Sequence, residues 1–365
     1  MDSLTVQSMM AADFIASSWP KVKIQAMEVL EGWTSEIDEL ILCGCGDSHH
    51  AALSLEMALS RWTGKRVRAV PAMMAARYLV PGLGSSSTRS LVIGISASGE
   101  VARTCEAVEL GVAVGARTLA ITGDKANSLA QTAESSLALT TPPVPFGPGL
   151  LSYLASMIMG LAVAVALAPA SHRQELESYI EDIPTVLDDW REEQMEMGKQ
   201  FAEDTIDNVV VYLGSGSAYG SALFAAAKLI EASGAQAWGQ DVEEWAHLEY
   251  FCEPADMPTW LLSSGGRSTS REQEVLKAAR TIGRRIVISS WHGGDDWSPY
   301  GREALAPLGL WAGPVAYASR RAEIIGEQPF RSFGGGRNCQ EGGGISRIRS
   351  SARVSPVEIL PLWQG

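Results

Sequence analysis

Short apolar segments alternate with helical patterns through the first half of the chain. Each apolar segment is followed by a turn and then by a stretch in which small and apolar residues recur at helical spacing. Because this alternation is typical of β-α-β units, it predicts a parallel sheet with right-handed crossovers and helices on both faces. The predicted strands are residues 39–43, 67–70, 91–95 and 117–121.

The same plan restarts after a polar helical pattern at residues 174–203. A strand-like run at 208–213 leads into the loop Gly214-Ser215-Gly216-Ser217 and a helix at about 221–232, and two further runs follow at 260–262 and 285–288. Both halves thus contain a strand, a Gly-x-Gly-x loop and a helix, with a period near 170 residues. This weak internal duplication predicts two domains of the same α/β class.

Two strand ends in the first half lead into loops that suit an anion. Gly46 and Ser48 follow the first strand, and Ser96, Ser98 and Gly99 follow the third. In parallel sheets ligands bind at the carboxyl ends of the strands, and such loops offer N–H groups, hydroxyls and a helix N-terminus to an anion. A serine in this position also serves as an N-cap of its own helix, so both interpretations stay open for a single loop.

Charge and cysteine usage restrict the partners. With 29 basic and 42 acidic residues the net charge is −13, which disfavours nucleic acid and membranes but not a small anion held locally. The longest apolar run, 157–170, is too short to span a bilayer, and Met1-Asp2-Ser3 does not suggest a signal peptide. The five cysteines show no metal-binding spacing, and alternation predicts that Cys43 and Cys45 are both buried. We expect a cytoplasmic protein without metal or cofactor.

Ser96-Ala97-Ser98-Gly99-Glu100-Val101 resembles the S-x-S-G-E-T phosphate loop of SIS (sugar isomerase) domains. Residues 44–51 resemble the companion G-T-S loop, with Asp47 in place of the threonine, and the second half is similar to the second SIS domain of the isomerase portion of glucosamine-6-phosphate synthase. The resemblance covers roughly residues 21–331. It implies two tandem SIS domains, each a flavodoxin-like parallel sheet sandwiched by helices. The predicted boundaries are 1–170 for the first domain with its N-terminal helix, 171–205 for a linker helix, 206–330 for the second domain and 331–365 for a Gly/Arg-rich tail.

The departures from the family pattern concern the groups that bind phosphate. The glutamine and threonine of the first phosphate loop are Ala97 and Val101 here, and the proline-rich loop at 142–149 lacks the serine-threonine pair that helps to hold the sugar. Each missing hydrogen bond is worth roughly 1 kcal/mol. We therefore expect a weakened phosphate pocket, one completed by other groups, or one for another anion. No glutaminase domain precedes the SIS region, so we do not expect ammonia delivery from glutamine.

Three charged or titratable side chains of the second half are candidates for catalysis. Lys228 and Glu231 lie three residues apart on one helix face and are the only charges of helix 221–232. The resemblance implies that Glu231 is the isomerising base, that Lys228 is its partner, and that His247 is the ring-opening histidine, which in the family comes from a neighbouring subunit of a homodimer. The alternatives are a solvated ion pair and a structural histidine.

The expected function is aldose–ketose isomerisation of a sugar phosphate through an enediolate, which needs one base to move a proton between two carbons. One alternative is an enzyme that releases an amine from an amino-sugar or ketosamine phosphate (a deaminase or deglycase). The other is a non-catalytic sugar-phosphate-binding regulator, which the altered phosphate loop favours and the retained Glu231 and His247 oppose.

The tail carries a local positive charge. Five arginines lie between positions 331 and 353 against the single acid Glu341, a local charge of +4, and two triple-glycine runs accompany them. Because arginine suits bidentate binding of phosphate, the tail, with Arg331 and Arg337 as candidate ligands, is a hypothetical source of the hydrogen bonds that Ala97 and Val101 cannot donate. The alternative is a flexible, solvated tail.

Overall fold

The computed structural model describes residues 1–206, 209–331 and 352–363, without the side chain of Arg331. Nine strands form two separate sheets within these residues, and every strand pair is parallel. The chain therefore has two α/β domains in tandem, and the predicted fold class is confirmed.

The first sheet has five strands in the order 2-1-3-4-5, counted along the chain, which is the flavodoxin-like order. Its two central strands, residues 39–44 and 90–96, are buried along their whole length and mostly apolar because helices cover both faces. The strands are β1 Glu39–Gly44, β2 Arg66–Pro71, β3 Ser90–Ser96, β4 Arg117–Thr122 and β5 Ser135–Ala138. The helices of this part are α1 Ser3–Val29, α2 Asp47–Thr63, α3 Ala72–Met74, α4 Ala102–Ala113, α5 Ser128–Thr132 and α6 Leu151–Leu167.

The long apolar run forms the buried helix α6. All of its residues except Ser152 are buried, and Gly160 makes close contact with α2, since a Cβ there would lie 2.3 Å from Leu55 Cδ1. No helix in the described part of the chain is long and apolar enough to cross a membrane.

The second sheet has four strands in the order 2-1-3-4, counted from its own first strand, which is also the order of the first four strands of the first sheet. Its core contains Tyr212, Trp260 and Tyr317, whose rings contact one another. The strands are β6 Val209–Leu213, β7 Gln236–Gln240, β8 Pro258–Ser263 and β9 Arg285–Ser290. The helices are α7 Ala170–Asp204, α8 Ser217–Ser233, α9 Val242–His247, α10 Thr269–Thr281, α11 Pro299–Leu305, α12 Ala312–Ile325 and, near the C-terminus, α13 Pro356–Ile359.

The internal duplication is visible in the backbone. Gly46 and Gly216 precede α2 and α8 with nearly the same dihedral angles, φ 55°, ψ −129° and φ 59°, ψ −129°. Both helices have 17 residues, and both end at a left-handed glycine, Gly64 or Gly234. A side chain at these positions would be strained because φ is positive. The two Gly-x-Gly loops are therefore the same structural unit repeated after 170 residues.

The chain divides into two compact units. The first unit contains the first sheet and comprises Phe14–Pro142, Leu151–Glu181 and the described residues 352–363. The second unit contains the second sheet and comprises Met1–Asp13, Pro143–Leu150 and the described residues of 182–331. The domain boundaries predicted from the sequence remain a prediction.

Candidate functional site

The loop after β1 presents the first turn of α2. Gly44 permits the tight turn, since a Cβ there would lie 2.7 Å from the Ser48 Cβ, and the carbonyl of Gly46 accepts hydrogen bonds from the amides of His49 and His50. Ser48 is half-buried in that first turn, and Gly46 is exposed. Cys45 is exposed too because β1 ends at Gly44, so the expectation that both cysteines are buried is wrong for Cys45 and correct for Cys43.

The two serines of the loop after β3 differ in their roles. Ser96 is only 2% exposed, and its hydroxyl accepts a hydrogen bond from the Gly99 amide at 3.1 Å, so it stabilises the loop itself. Ser98 is exposed, and its hydroxyl accepts from the amide of Glu100 at 3.3 Å. Gly99 has φ 68° and allows the loop to turn into α4. Of the two, Ser98 is the serine that an external anion can reach.

A polar layer from the next loop supports Gly99. The Asn127 amide donates to the Thr122 hydroxyl at 2.6 Å, and its carbonyl oxygen accepts from the Ala130 amide as the N-cap of α5. The Glu100 carboxylate accepts from both the amide and the hydroxyl of Ser128, at 2.9 and 2.7 Å, and these bonds lower its pKa. The side chains of Glu100, after β3, and Asn127, after β4, therefore stabilise the loop that contains Gly99.

A cavity of about 240 Å³ opens at the ends of β3, β4 and β5. Its polar side chains come from hydroxyl residues that the sequence interpretation did not select: Thr122, Thr140, Thr141, Ser152 and Ser156. Ala97 contributes from the loop after β3, whereas neither Ser48 nor Ser98 is among the lining residues. In the sequence, the pair Thr140-Thr141 directly before the proline-rich loop could have indicated these hydroxyl groups.

His49 and His50 lie beside the first loop. Burial lowers the pKa of His49 from 6.5 to about 4, with a smaller contribution from His50. The Nε2 atom of His49 is buried without a hydrogen-bond partner among the described residues. The described residues contain no group of three His, Cys, Asp or Glu side chains that could hold a metal ion.

Lys228 and Glu231 form a partly buried ion pair in the second unit. The Lys228 Nζ lies 2.5 Å from Glu231 Oε2 and 5.0 Å from the centroid of the Phe224 ring. The Lys228 side chain is fully buried, while that of Glu231 is 26% exposed. The structure thus brings these two candidates together, with the carboxylate held in place by the ammonium and still accessible from outside.

His247 lies at the end of α9 with 72% of its side chain exposed. Its Nε2 is 3.1 Å from Glu243 Oε1. The pKa of Glu243 is lowered by its hydrogen bonds with Arg271 and, to a smaller extent, with His247. In the described part of the chain His247 makes no hydrogen bond or ion pair with Glu231 or Lys228. The structure does not bring the third candidate to the other two.

A carboxylate of the protein lies beside the duplicated loop of the second unit. Glu303 is buried and pairs with Arg267 at 3.0 Å, and its Oε1 lies 3.8 Å from the Cβ position of Gly216. Its side chain also packs tightly on Gly266, and the Ser217 hydroxyl donates to its backbone carbonyl. Because this loop already has an internal anion, the loops of the first unit are the candidates for an external one.

Two arginines of the tail were the remaining candidate ligands of a phosphate group. The side chain of Arg331 and all of Arg337 lie outside the described residues.

Comparison with known proteins agrees with the fold and with these loops. Residues 35–166 match the family model of the SIS domain, which covers β1 to β5 and both loops of the first unit. Glutamine–fructose-6-phosphate aminotransferase (isomerizing) of Mycolicibacterium smegmatis is 30% identical over 222 residues, which are 58% of this chain and 34% of the relative. Residues 35–166 therefore match the SIS-domain family, and the chain resembles the isomerase portion of that enzyme, as the sequence predicted.

Solved structures show the same fold over both units. The C-terminal domain of glucosamine-fructose-6-phosphate aminotransferase from Francisella tularensis superimposes with a TM-score of 0.73 at 15% identity, covering 87% of this chain and 96% of that chain. Tagatose-6-phosphate ketose/aldose isomerase from Escherichia coli gives 0.68 at 17% identity over 90% and 94% of the chains. Glucosamine-6-phosphate deaminase from Thermotoga maritima gives 0.63 at 18% identity over 87% and 97%. The chain spans about a third of the length of the M. smegmatis relative.

Proposed function

We propose that the protein is a sugar-phosphate aldose–ketose isomerase in which Glu231 carries the proton between C1 and C2. The observation that supports this most is the Lys228–Glu231 pair, because a buried ammonium holds a partly exposed carboxylate on the helix where the family has its base. When Glu231 takes up the substrate proton, it becomes neutral, and the positive charge of the nearby Lys228 favours the negative charge that develops on the enediolate oxygen.

In this proposal the first unit offers groups for an anion at two loops. Ser98 offers a hydroxyl in the loop before α4, and Gly46 and Ser48 offer a backbone amide and a hydroxyl at the start of α2. The hydroxyl-lined cavity at Thr140 and its neighbours suits the hydroxyl groups of a sugar.

A homodimer with shared sites belongs to the same proposal. His247 is exposed and lies beside a cluster of exposed apolar side chains, Leu248, Tyr250 and Phe251, of which Leu248 is 67% and Phe251 is 71% exposed. A second copy that covers this surface would bury the apolar side chains, and it could receive His247 in its own site.

Hexose and pentose phosphates incubated with the enzyme in D₂O test the reaction. Isomerisation through an enediolate places solvent deuterium on the carbon next to the carbonyl, which NMR detects. Glu231→Gln should lower turnover by roughly 100-fold or more without loss of binding. The matched control, Glu193→Gln on the exposed face of α7, should keep full activity.

Other outcomes separate the alternatives. Release of ammonia or an amine from amino-sugar phosphates, without aldose–ketose exchange, would establish the deaminase or deglycase activity that the name of the T. maritima neighbour suggests. Tight binding of a sugar phosphate with neither reaction would favour the regulator. Wild-type turnover in Glu231→Gln would remove Glu231 from the mechanism.

A further inference from the structure

Residues 352–363 pack against the first unit as an additional element of that unit. Ile359 on α13 is 4% exposed and belongs to a core cluster with Ile41, Val80 and Leu110. The indole N–H of Trp363 donates to the Arg77 carbonyl at 3.1 Å, and its ring lies against Gly82. This segment, which we name the C-terminal strap, therefore has a built docking surface on the domain that carries the phosphate loops.

A buried carboxylate on α4 fixes the start of the strap. Glu106 is fully buried between the guanidinium groups of Arg77 and Arg103, at 3.0 and 2.7 Å. Its Oε1 also accepts a hydrogen bond from the backbone amide of Val354 at 2.6 Å. Arg103 donates in addition to the carbonyl of Ala352 at 2.6 Å. The backbone is thus held on both sides of the residue between them, Arg353.

Arg353 lies beside the start of α4. This position follows from its neighbours, because Arg103 and Glu106 are in the first two turns of α4, which begins directly after the phosphate loop. Arg353 is exposed, and its guanidinium forms no hydrogen bond or ion pair with the described residues. Its charge is one of the influences that lower the pKa of Glu100, after the two bonds from Ser128, and it opposes the rise that burial causes in the pKa of Cys105.

The Glu100 carboxylate does not neutralise this cation by direct contact. Both of its oxygens accept hydrogen bonds from Ser128, so it is directed towards the start of α5. A phosphate on the loop at Ser98 and Gly99 would therefore meet Arg353 as a further donor. Arginine presents paired N–H groups that match two phosphate oxygens.

We propose that the C-terminal strap is part of the anion site, and that Arg353 donates to the phosphate group where Ala97 and Val101 have no side-chain donor. The proposal rests on the proposed function in one respect, that the ligand is a sugar phosphate; the binding of an anion does not depend on it. The sequence suggested that the tail completes the phosphate pocket through Arg331 and Arg337, and the present proposal gives that role to Arg353.

The test compares Arg353→Gln with Arg280→Gln, which removes an exposed arginine from α10 in the other unit. Calorimetry measures the Kd of inorganic phosphate, of a panel of hexose and pentose phosphates, and of the unphosphorylated sugars. Arg353→Gln should weaken all phosphorylated ligands by about 10-fold or more, because a hydrogen bond to a charged group is removed. The unphosphorylated sugars and the control variant should be unaffected.

A second pair of variants tests the docking of the strap. Ile359→Asp places a charge in the core cluster and should release the strap, so it should weaken phosphate as much as Arg353→Gln does. Val357→Asp is its control, because Val357 is 80% exposed on the same strap. If Ile359→Asp unfolds the domain, Arg353→Gln still decides the question.

The two proposals fail in different ways. Sugar-phosphate binding that is equally tight in Arg353→Gln would overturn the role of Arg353 and leave the proposed function standing. Binding of inorganic phosphate that depends on Arg353, without binding of any sugar phosphate, would support the role of Arg353 and contradict the proposed function. Absence of binding by every phosphorylated ligand in the wild type would overturn both.

Discussion

Replacement of Gly99 by alanine should destabilise the first unit by about 3 kcal/mol. Its φ of 68° is left-handed, which costs an alanine about 1 kcal/mol. A Cβ at this position would also lie 1.9 Å from the Asn127 Cγ, so that side chain must move. Asn127 would then lose its N-cap bond to α5 and its hydrogen bond to Thr122, each worth about 1 kcal/mol.

Gly115→Ala is the matched control within the same unit. Gly115 has φ 82°, and no atom lies within 4 Å of its Cβ position, so only the backbone strain of about 1 kcal/mol applies. The free energy of opening is measured by native-state hydrogen exchange of amides in β3 and β4, because a chain with two units need not unfold in one step. Equal destabilisation by the two substitutions would refute the steric argument.

A double-mutant cycle tests the contact between Gly99 and Asn127 directly. Asn127→Ala alone should cost about 2 kcal/mol, from the cap and the bond to Thr122. In the double variant the collision is absent, so its cost should be about 3 kcal/mol and not the sum of about 5 kcal/mol. Strict additivity would show that Asn127 is not what the new methyl group displaces.

Two further predictions concern assembly and pH. A mixture of Glu231→Gln and His247→Ala protein should regain about a quarter of the wild-type active sites once the subunits exchange. The reason is that half of the dimers are then mixed, and each mixed dimer has one intact site of its two. A fully active monomer in light scattering would contradict this. His49 has its pKa lowered from 6.5 to about 4, so the unfolded chain binds the extra proton and stability falls as the pH drops from 6.5 towards 4. His49 is partly exposed and lies next to His50 and Asp47, so we expect the free energy of unfolding to fall by about 2 kcal/mol between pH 7 and pH 4.5. Urea titrations at the two pH values measure this loss, and His49→Gln should abolish it. A pH dependence that is unchanged in His49→Gln would contradict the prediction.

The arrangement of strands, loops and helices could be predicted because its causes are local. Apolar strands such as 39–43 and 91–95 alternate with helical patterns, and a buried parallel sheet requires that alternation. The glycines of the duplicated loops were visible for the same reason, since positive φ at Gly46 and Gly216 restricts the residue type directly. The contact between Lys228 and Glu231 followed from helical spacing.

The sequence alone therefore determined the fold class, the duplicated loops and the Lys228–Glu231 pair, since each depends on residues that are close in the chain. Only the tertiary structure showed that Ser96 stabilises its own loop, that Glu303 lies beside the second loop, and that the strap docks on Glu106. Val354 meets Glu106 across 248 positions, and Glu303 meets Arg267 across 36. No local pattern encodes such pairs, because burial and charge compensation select them only after the sheets have formed.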